Sequence, residues 1–165
     1  MAGFRSRARR SLRLFSDSRR NPRNVRGRRC SGKALVYVLD TNTVIYFLKG
    51  VGRVKDQLLA VPPADVALPS IVVFELEIGI TNSSQPSKRR MQLDTLLSVI
   101  TVLPFDLQCA KLAAESQHAL RRTGNLIGPM DALIAATALV HRATLVTHNV
   151  GEFRRVRGLH VEDWL

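Results

Sequence analysis

Four acidic residues stand beside apolar segments of this 165-residue chain, where a carboxylate is least expected. Asp40 follows the run VYVL, and Glu75 interrupts the run IVVFELEIGI. Asp131 opens the apolar segment DALIAATALV, and Glu152 follows the run TLVT in the sequence THNVGEF. An unpaired carboxylate next to a buried element costs free energy, so each of these acids needs a hydrogen-bonding partner, solvent or a cation.

Each acid taken alone has an ordinary structural explanation. A helix cap at Thr41 or Asn42 would leave Asp40 as a turn residue, and the positive end of a helix would suit Asp131. An arginine partner or solvent would account for the other two acids. All four together are better explained by one site, because an α/β fold gathers its strand ends and the following helix starts at one rim.

Carboxylates gathered at such a rim repel each other unless a cation compensates their charge. Oxygen ligands select a hard ion, and neither Cys nor His accompanies the acids at a spacing typical of zinc sites. Mg²⁺ or Mn²⁺ therefore fits this set of ligands. Such an ion can bind a phosphodiester, lower the pKa of a bound water and stabilise the leaving oxygen. The chemistry that these residues predict is metal-dependent phosphodiester hydrolysis.

Short strand patterns alternate with helical patterns along the chain. The predicted strands are residues 34–39, 65–69, 100–103, 144–147 and 159–161, and the predicted helices are 43–49, 51–61, 71–80, 88–99, 107–122, 130–141 and a turn at 151–155. Ser70 is the expected cap of the third helix, and residues 82–87 are an expected loop. This alternation predicts an α/β fold, a three-layer α/β/α domain with a mostly parallel central sheet.

The net charge of +12 is concentrated at the beginning of the chain. Residues 1–33 hold 12 of the 25 Lys and Arg and a single acid, Asp17, so they contribute +11. Residues 34–165 hold the other 13 basic residues against 12 acids, which leaves +1. Bulk charge therefore does not predict nucleic-acid binding by the folded part.

The Arg- and Ser-rich residues 1–33 have too few large apolar side chains to bury a core, so disorder is expected there. Three origins fit this extension: an RNA-binding arm, an organelle-type presequence, or sequence translated from a start codon assigned too early. We favour the third, because a domain that opens on its first strand needs no such extension. The expected division is a basic extension, residues 1–33, and one domain, residues 34–165.

Cysteine usage and hydropathy indicate a soluble protein of a reducing compartment, which we take to be the cytoplasm. Cys30 and Cys109 form neither a disulfide framework nor a zinc spacing. The apolar runs are interrupted by acids and are shorter than the roughly 20 residues of a membrane span, so no membrane association is expected.

Four motifs occur in the order and spacing of PIN-domain proteins. They are VLDTN at 38–42, FELEIG at 74–79, GPMDALIAATAL at 128–139 and LVTHNVGEFRRVRGLHVEDWL at 145–165. The chain most closely resembles the VapC type of toxin ribonuclease from bacterial toxin–antitoxin pairs, over about residues 36–165. This resemblance implies a metal-dependent endoribonuclease, usually a homodimer, that a cognate antitoxin protein inhibits. With the metal chemistry above, RNA cleavage is expected to leave a 5′-phosphate and a 3′-hydroxyl.

The resemblance implies that Asp40, Glu75 and Asp131 bind the metal and that Glu152 is the fourth acid. This fourth position departs from many relatives, which place an Asp nearby, sometimes at the position of Asn149. The residues expected to support the acids by hydrogen bonds are Thr41, Asn42, Thr147 and Asn149.

Basic residues around the acids are candidates for holding RNA. Arg121, Arg122 and Arg154 are the main ones, and Arg155, Arg157 and residues 88–90 are further ones. The apolar helices in residues 44–61 and 71–80 are candidates for the dimer surface and the antitoxin groove. Three alternatives stay open: an inert PIN-like module that binds RNA or a partner, a nonspecific nucleic-acid binder that acts through residues 1–33, and an exonuclease or a nuclease that cuts DNA.

Overall fold

The protein is described by a computed structural model over residues 37–165. Residues 1–33 and the predicted beginning of the first strand at 34–36 lie outside the described residues. The expected domain boundary at residue 34 and the origin of the basic extension therefore stay predictions.

Five strands and seven α-helices alternate along the described residues. In chain order they are β1 (Tyr37–Leu39), α1 (Thr41–Lys49), α2 (Val54–Ala60), β2 (Val66–Pro69), α3 (Ser70–Thr81), α4 (Pro86–Leu97), β3 (Thr101–Leu103), α5 (Leu107–Arg122), α6 (Pro129–Val140), β4 (Thr144–Val146), α7 (Val150–Phe153) and β5 (His160–Glu162). A 3₁₀ turn, Pro63–Asp65, precedes β2.

The strands form one sheet in the order β3-β2-β1-β4-β5, and every pairing is parallel. Tyr37 lies opposite Val66 of β2 on one side and opposite Thr144 of β4 on the other. The chain thus runs outward from β1 to β3 and then returns to place β4 on the free side of β1. In open α/β sheets this reversal creates a crevice outside the carboxyl ends of the two central strands, where ligands bind.

Burial of the central strands requires helices on both faces of the sheet. Val38 and Leu39 of β1 have no exposed surface, and all residues of β2 and β4 are buried. Continuous burial without polar alternation is typical of parallel strands covered on both faces. The predicted three-layer α/β/α fold with a parallel sheet is therefore confirmed.

Two helix starts differ from the prediction. α1 begins at Thr41, two residues earlier than expected, because Asp40 itself caps it. α3 begins at Ser70, so the predicted cap at Ser70 is wrong. The Ser70 hydroxyl instead accepts a hydrogen bond of 3.1 Å from the backbone N–H of Phe105, which joins α3 to the loop after β3.

The predicted loop at 82–87 and the predicted helix at 51–61 are both too long. α4 already begins at Pro86, whose missing N–H and fixed φ suit the first position of a helix. α2 begins only at Val54, since Gly52 in the preceding turn has a φ of +62°, a conformation outside any right-handed helix. By contrast, α5 has the predicted bounds 107–122.

Within residues 37–165, none of the helices has both the length and the apolar character that a membrane span requires.

Candidate active site at the carboxyl ends of β1 and β4

Asp40 lies at the reversal point of the sheet and is 4% exposed. Its backbone N–H donates to Val146 O at 3.1 Å, which ties the end of β1 to the end of β4. Its Oδ1 accepts a hydrogen bond of 2.6 Å from the N–H of Thr43, so the carboxylate caps α1. The capping explanation and the site explanation of Asp40 are therefore compatible, because one oxygen serves the helix while the side chain stays at the crevice.

The second oxygen of Asp40 is held by the residue that follows β4. Thr147 is fully buried, and its hydroxyl donates to Asp40 Oδ2 at 2.5 Å. The same hydroxyl accepts from the N–H of Asn149 at 3.0 Å. Thr147 thus positions Asp40 and the following loop together, which is the supporting geometry expected of it.

Glu75 faces the same rim from α3. It is half-buried, and its Oε2 accepts a hydrogen bond from the hydroxyl of Thr41, the first residue of α1. This contact joins the element after β1 to the element after β2. Asn42 is different: it is exposed, and its side chain makes no hydrogen bond within residues 37–165, so the structure does not bring it into the network.

Glu152, on the short helix α7, is held by two donors. Asn149 Nδ2 donates to its Oε2 at 2.8 Å, and the backbone N–H of Gly128 donates to its Oε1 at 2.8 Å. Hydrogen bonds from Asn149 first, and then from Gly128, lower the pKa of Glu152 below its ordinary value. Glu152 is therefore an ionised and oriented carboxylate, and Asn149 is its support.

Asp131, in the first turn of α6, carries the least compensated charge of the four. Burial, followed by the charges of Glu152, Glu75 and Asp40, raises its pKa to about 6. Asp131 Oδ2 and Glu152 Oε1 also lie on the same side of Gly128, 3.1 Å and 3.8 Å from the position that a Cβ atom would take there. The four acids that the sequence singles out are thus close enough to repel each other.

All four side chains offer only oxygen ligands, so the set fits a hard divalent cation, which would relieve their repulsion. Within residues 37–165, however, no three or more His, Cys, Asp or Glu side chains are arranged as they would have to be to hold a metal ion. Protein donors already engage oxygens of Asp40, Glu75 and Glu152. An ion would have to compete with those donors.

The raised pKa of Asp131 predicts a stability that depends on pH when no cation is bound. Since the folded-state pKa, about 6, exceeds the ordinary value of 3.8, the folded state binds more protons between these values and loses stability as the pH rises through 6. In EDTA at pH 8, Asp131→Asn should melt about 3–5 °C above the wild type. The gain should disappear near pH 4, as measured by thermal unfolding across pH.

Asp94→Asn is the matched control, because Asp94 is an exposed acid on α4. Its melting temperature should follow the wild type at every pH. Parallel melting curves for Asp131→Asn and the wild type would contradict the proposed repulsion.

The arginines expected to hold RNA make few contacts within residues 37–165. Arg121 and Arg122 end α5, Arg154 follows α7, and all three are exposed. Arg155 is the basic residue that contacts the site's own loop, through a hydrogen bond from Nη1 to Leu126 O of 3.2 Å. Sequence reasoning grouped it with its neighbours, because nothing in the run RRVR distinguishes one arginine from another.

Two further groups that hold the site together were not predicted from the sequence. The buried hydroxyl of Thr43 donates to Val146 O at 2.9 Å, and the backbone N–H of Gly128 holds Glu152. The Thr that follows Asp40 by three residues was a usable signal for the first contact. The second contact spans 24 residues and uses a backbone group, so no residue type could reveal it.

The comparisons with known proteins agree on one family. The PIN domain family matches residues 37–159. "Ribonuclease VapC2" of Rickettsia felis is 34% identical over 132 residues, which cover 79% of this chain and 98% of that protein. "tRNA(fMet)-specific endonuclease VapC" of Salmonella typhimurium is 31% identical over 130 residues, which also cover 79% of this chain and 98% of that protein.

Solved structures of similar proteins share the fold. VapBC2 of Rickettsia felis, bound to a DNA fragment from its promoter, superposes with a TM-score of 0.73 at 31% identity, over 79% of this chain and 100% of that chain. DNA-bound VapBC of Salmonella typhimurium gives a TM-score of 0.74 at 30% identity, over 79% of this chain and 99% of that chain.

Proposed function

The chain belongs to the PIN domain family, and from that membership we propose that it is a VapC-type endoribonuclease, the toxin of a toxin–antitoxin pair, which uses Mg²⁺ or Mn²⁺ to hydrolyse RNA in the cytoplasm. The observation that carries the proposal is the gathering of four carboxylates at the reversal point of the sheet, where the charges of Glu152, Glu75 and Asp40 add to burial in raising the pKa of Asp131. A partly buried concentration of negative charge favours a cation, and a cation there favours a phosphate.

Asp40, Glu75 and Asp131 are the residues that would hold the ion, and Glu152 would complete the site or take part in a second one. When bound, the ion supplies a Lewis acid that neutralises the phosphate and lowers the pKa of water. Thr147 keeps Asp40 oriented, and Thr41 does the same for Glu75. Asp131 or Glu152 accepts the proton of the attacking water, and cleavage leaves a 5′-phosphate and a 3′-hydroxyl.

Transfer RNA is the substrate class to test first, because the Salmonella relative carries a name specific for tRNA(fMet). The exposed guanidinium groups at the end of α5 and after α7, which belong to Arg121, Arg122 and Arg154, would bind phosphates of such an RNA on either side of the acids. Binding through exposed arginines is screened by salt, so cleavage should weaken as ionic strength rises.

The proposed protein partners are a cognate antitoxin and a second copy of this chain. Phe74 and Ile78 of α3 and Met91 of α4 are large apolar side chains that are 50%, 45% and 43% exposed. Apolar side chains on adjacent helices are typical of protein interfaces. The solved relatives above are VapBC complexes, which supports an antitoxin as one occupant.

The test is cleavage of a total RNA pool by the purified chain in EDTA, Mg²⁺ or Mn²⁺, beside Glu75→Gln. Discrete products should appear only with a divalent ion and should be lost in Glu75→Gln. Glu77→Gln is the matched control, because Glu77 lies on the same helix but pairs with Arg90 instead of Thr41. Cleavage in EDTA, or full activity of Glu75→Gln, would contradict the mechanism.

An inert PIN-like module that binds RNA or a partner is the second candidate function. Retention of all four acids argues against it. RNA binding without cleavage, in the presence of each metal and of a transfer RNA pool, would favour it.

A further inference from the structure

The segment Leu126–Gly128, which leads into α6 and Asp131, is held by side chains through three consecutive backbone groups. Arg155 Nη1 donates to Leu126 O at 3.2 Å, and Gln117 Nε2 donates to Ile127 O at 3.1 Å. The N–H of Gly128 donates to Glu152 Oε1 at 2.8 Å. Gln117 belongs to α5, Glu152 to α7 and Arg155 to the turn after α7, so several elements hold this segment. We call these three contacts the clamp.

Arg155 is the member of this clamp that connects it to the acids. It lies three residues after Glu152, and its backbone N–H donates to Glu152 O at 3.2 Å. Its positive charge acts on the Glu152 carboxylate, while its Nη1 holds the backbone two residues before Gly128. One exposed guanidinium thus contacts the loop and also acts through its charge on the carboxylate that the loop orients.

Arg154, the adjacent arginine, has no such contact. It carries the same charge and is equally exposed, but its side chain makes no hydrogen bond or ion pair within residues 37–165. A comparison of Arg154 with Arg155 therefore separates two roles that either positive charge could have: fixing the loop and attracting RNA.

We infer that Arg155 is a positioning residue of the active site. It fixes Leu126–Gly128, so that Gly128 and Asp131 keep their positions relative to Glu152. The kinetic consequence rests on the proposed ribonuclease function, whereas the structural consequence does not. Misplacement of a catalytic group lowers the rate of the chemical step more than it weakens substrate binding. Loss of a general phosphate contact would instead weaken RNA binding.

The experiment compares Arg155→Gln with Arg154→Gln in two measurements. Amide hydrogen exchange of residues 125–128, recorded in EDTA without RNA, should become about tenfold faster in Arg155→Gln, since the segment loses one of its three side-chain contacts. On a transfer RNA pool with Mn²⁺, kcat of Arg155→Gln should fall about tenfold with KM changed less than about twofold. Arg154→Gln removes a proposed phosphate contact, so it should raise KM and leave the exchange of residues 125–128 at its wild-type value.

Rescue by lysine distinguishes positioning from general loss of structure. The contact with Leu126 O is one N–H donated to one carbonyl, which an ammonium group can also make, so Arg155→Lys should recover most of kcat and slow exchange again. Unchanged exchange of residues 125–128 in Arg155→Gln would overturn the inference. An increase in KM alone in Arg155→Gln, or equal effects of Arg155→Gln and Arg154→Gln, would also overturn it. If the wild type cuts no RNA, the proposed function fails, and hydrogen exchange alone still decides the role of Arg155.

Discussion

Replacement of Asp40 by asparagine is expected to lower RNA turnover by about a thousandfold, because it removes a metal-binding carboxylate whose electrostatic contribution is several kcal/mol. The free energy of unfolding should fall by about 1–2 kcal/mol: an amide oxygen can still accept from the N–H of Thr43 and cap α1, but the amide nitrogen cannot accept from the buried Thr147 hydroxyl. A loss of activity far larger than the loss of stability is therefore the expected signature of a catalytic role for this buried acid.

Asp40→Ala should separate the two roles of the residue. Alanine removes the cap of α1 in addition to the acceptor of the buried Thr147 hydroxyl, so we expect a total loss of about 2–3 kcal/mol in the free energy of unfolding. Urea unfolding and single-turnover cleavage measure the two effects. Asp94→Asn, at an exposed helix position, is the control that should change neither. Turnover of Asp40→Asn within tenfold of the wild type would remove Asp40 from the proposed mechanism.

The central part of the fold could be predicted from the sequence because its strands are buried without alternation. The apolar runs that end at Leu39 and Val146 indicated parallel strands, and a polar residue after each run indicated a shared rim. The PIN-type resemblance and the three-layer fold are both confirmed. The metal-binding roles of the four acids stay predictions, although the structure brings the acids together.

Helix ends were harder to predict, because several residues near each end could begin or cap the helix. Ser70 has a favourable residue type for an N-cap, yet its hydroxyl accepts a hydrogen bond from Phe105, which is 35 residues away. Asn42 has an equally favourable type and is exposed, whereas Asp40 is the cap. Local preference gives the approximate start of a helix, and a contact distant in sequence decides which side chain is used.

Gly128→Ala is expected to lower turnover by about a hundredfold, although the position tolerates alanine in its backbone. Gly128 has a φ of −55° and a ψ of 148°, which any residue adopts, so no backbone strain follows from the substitution. The new methyl group would lie 3.1 Å from Asp131 Oδ2 and 3.8 Å from Glu152 Oε1. The Asp131 carboxylate would have to shift, and the methyl group would contact two proposed catalytic oxygens.

Gly151→Ala is the matched control for this effect. Gly151 precedes Glu152 directly, but a Cβ atom there meets nothing within 4 Å, so turnover should stay near that of the wild type. Single-turnover rates on a transfer RNA pool, together with melting temperatures, compare the two variants. Equal activities would mean that Asp131 and Glu152 need not share the space beside Gly128. A selective loss in Gly128→Ala would support a cooperative role for these two carboxylates, because the substitution crowds their oxygens and replaces neither residue.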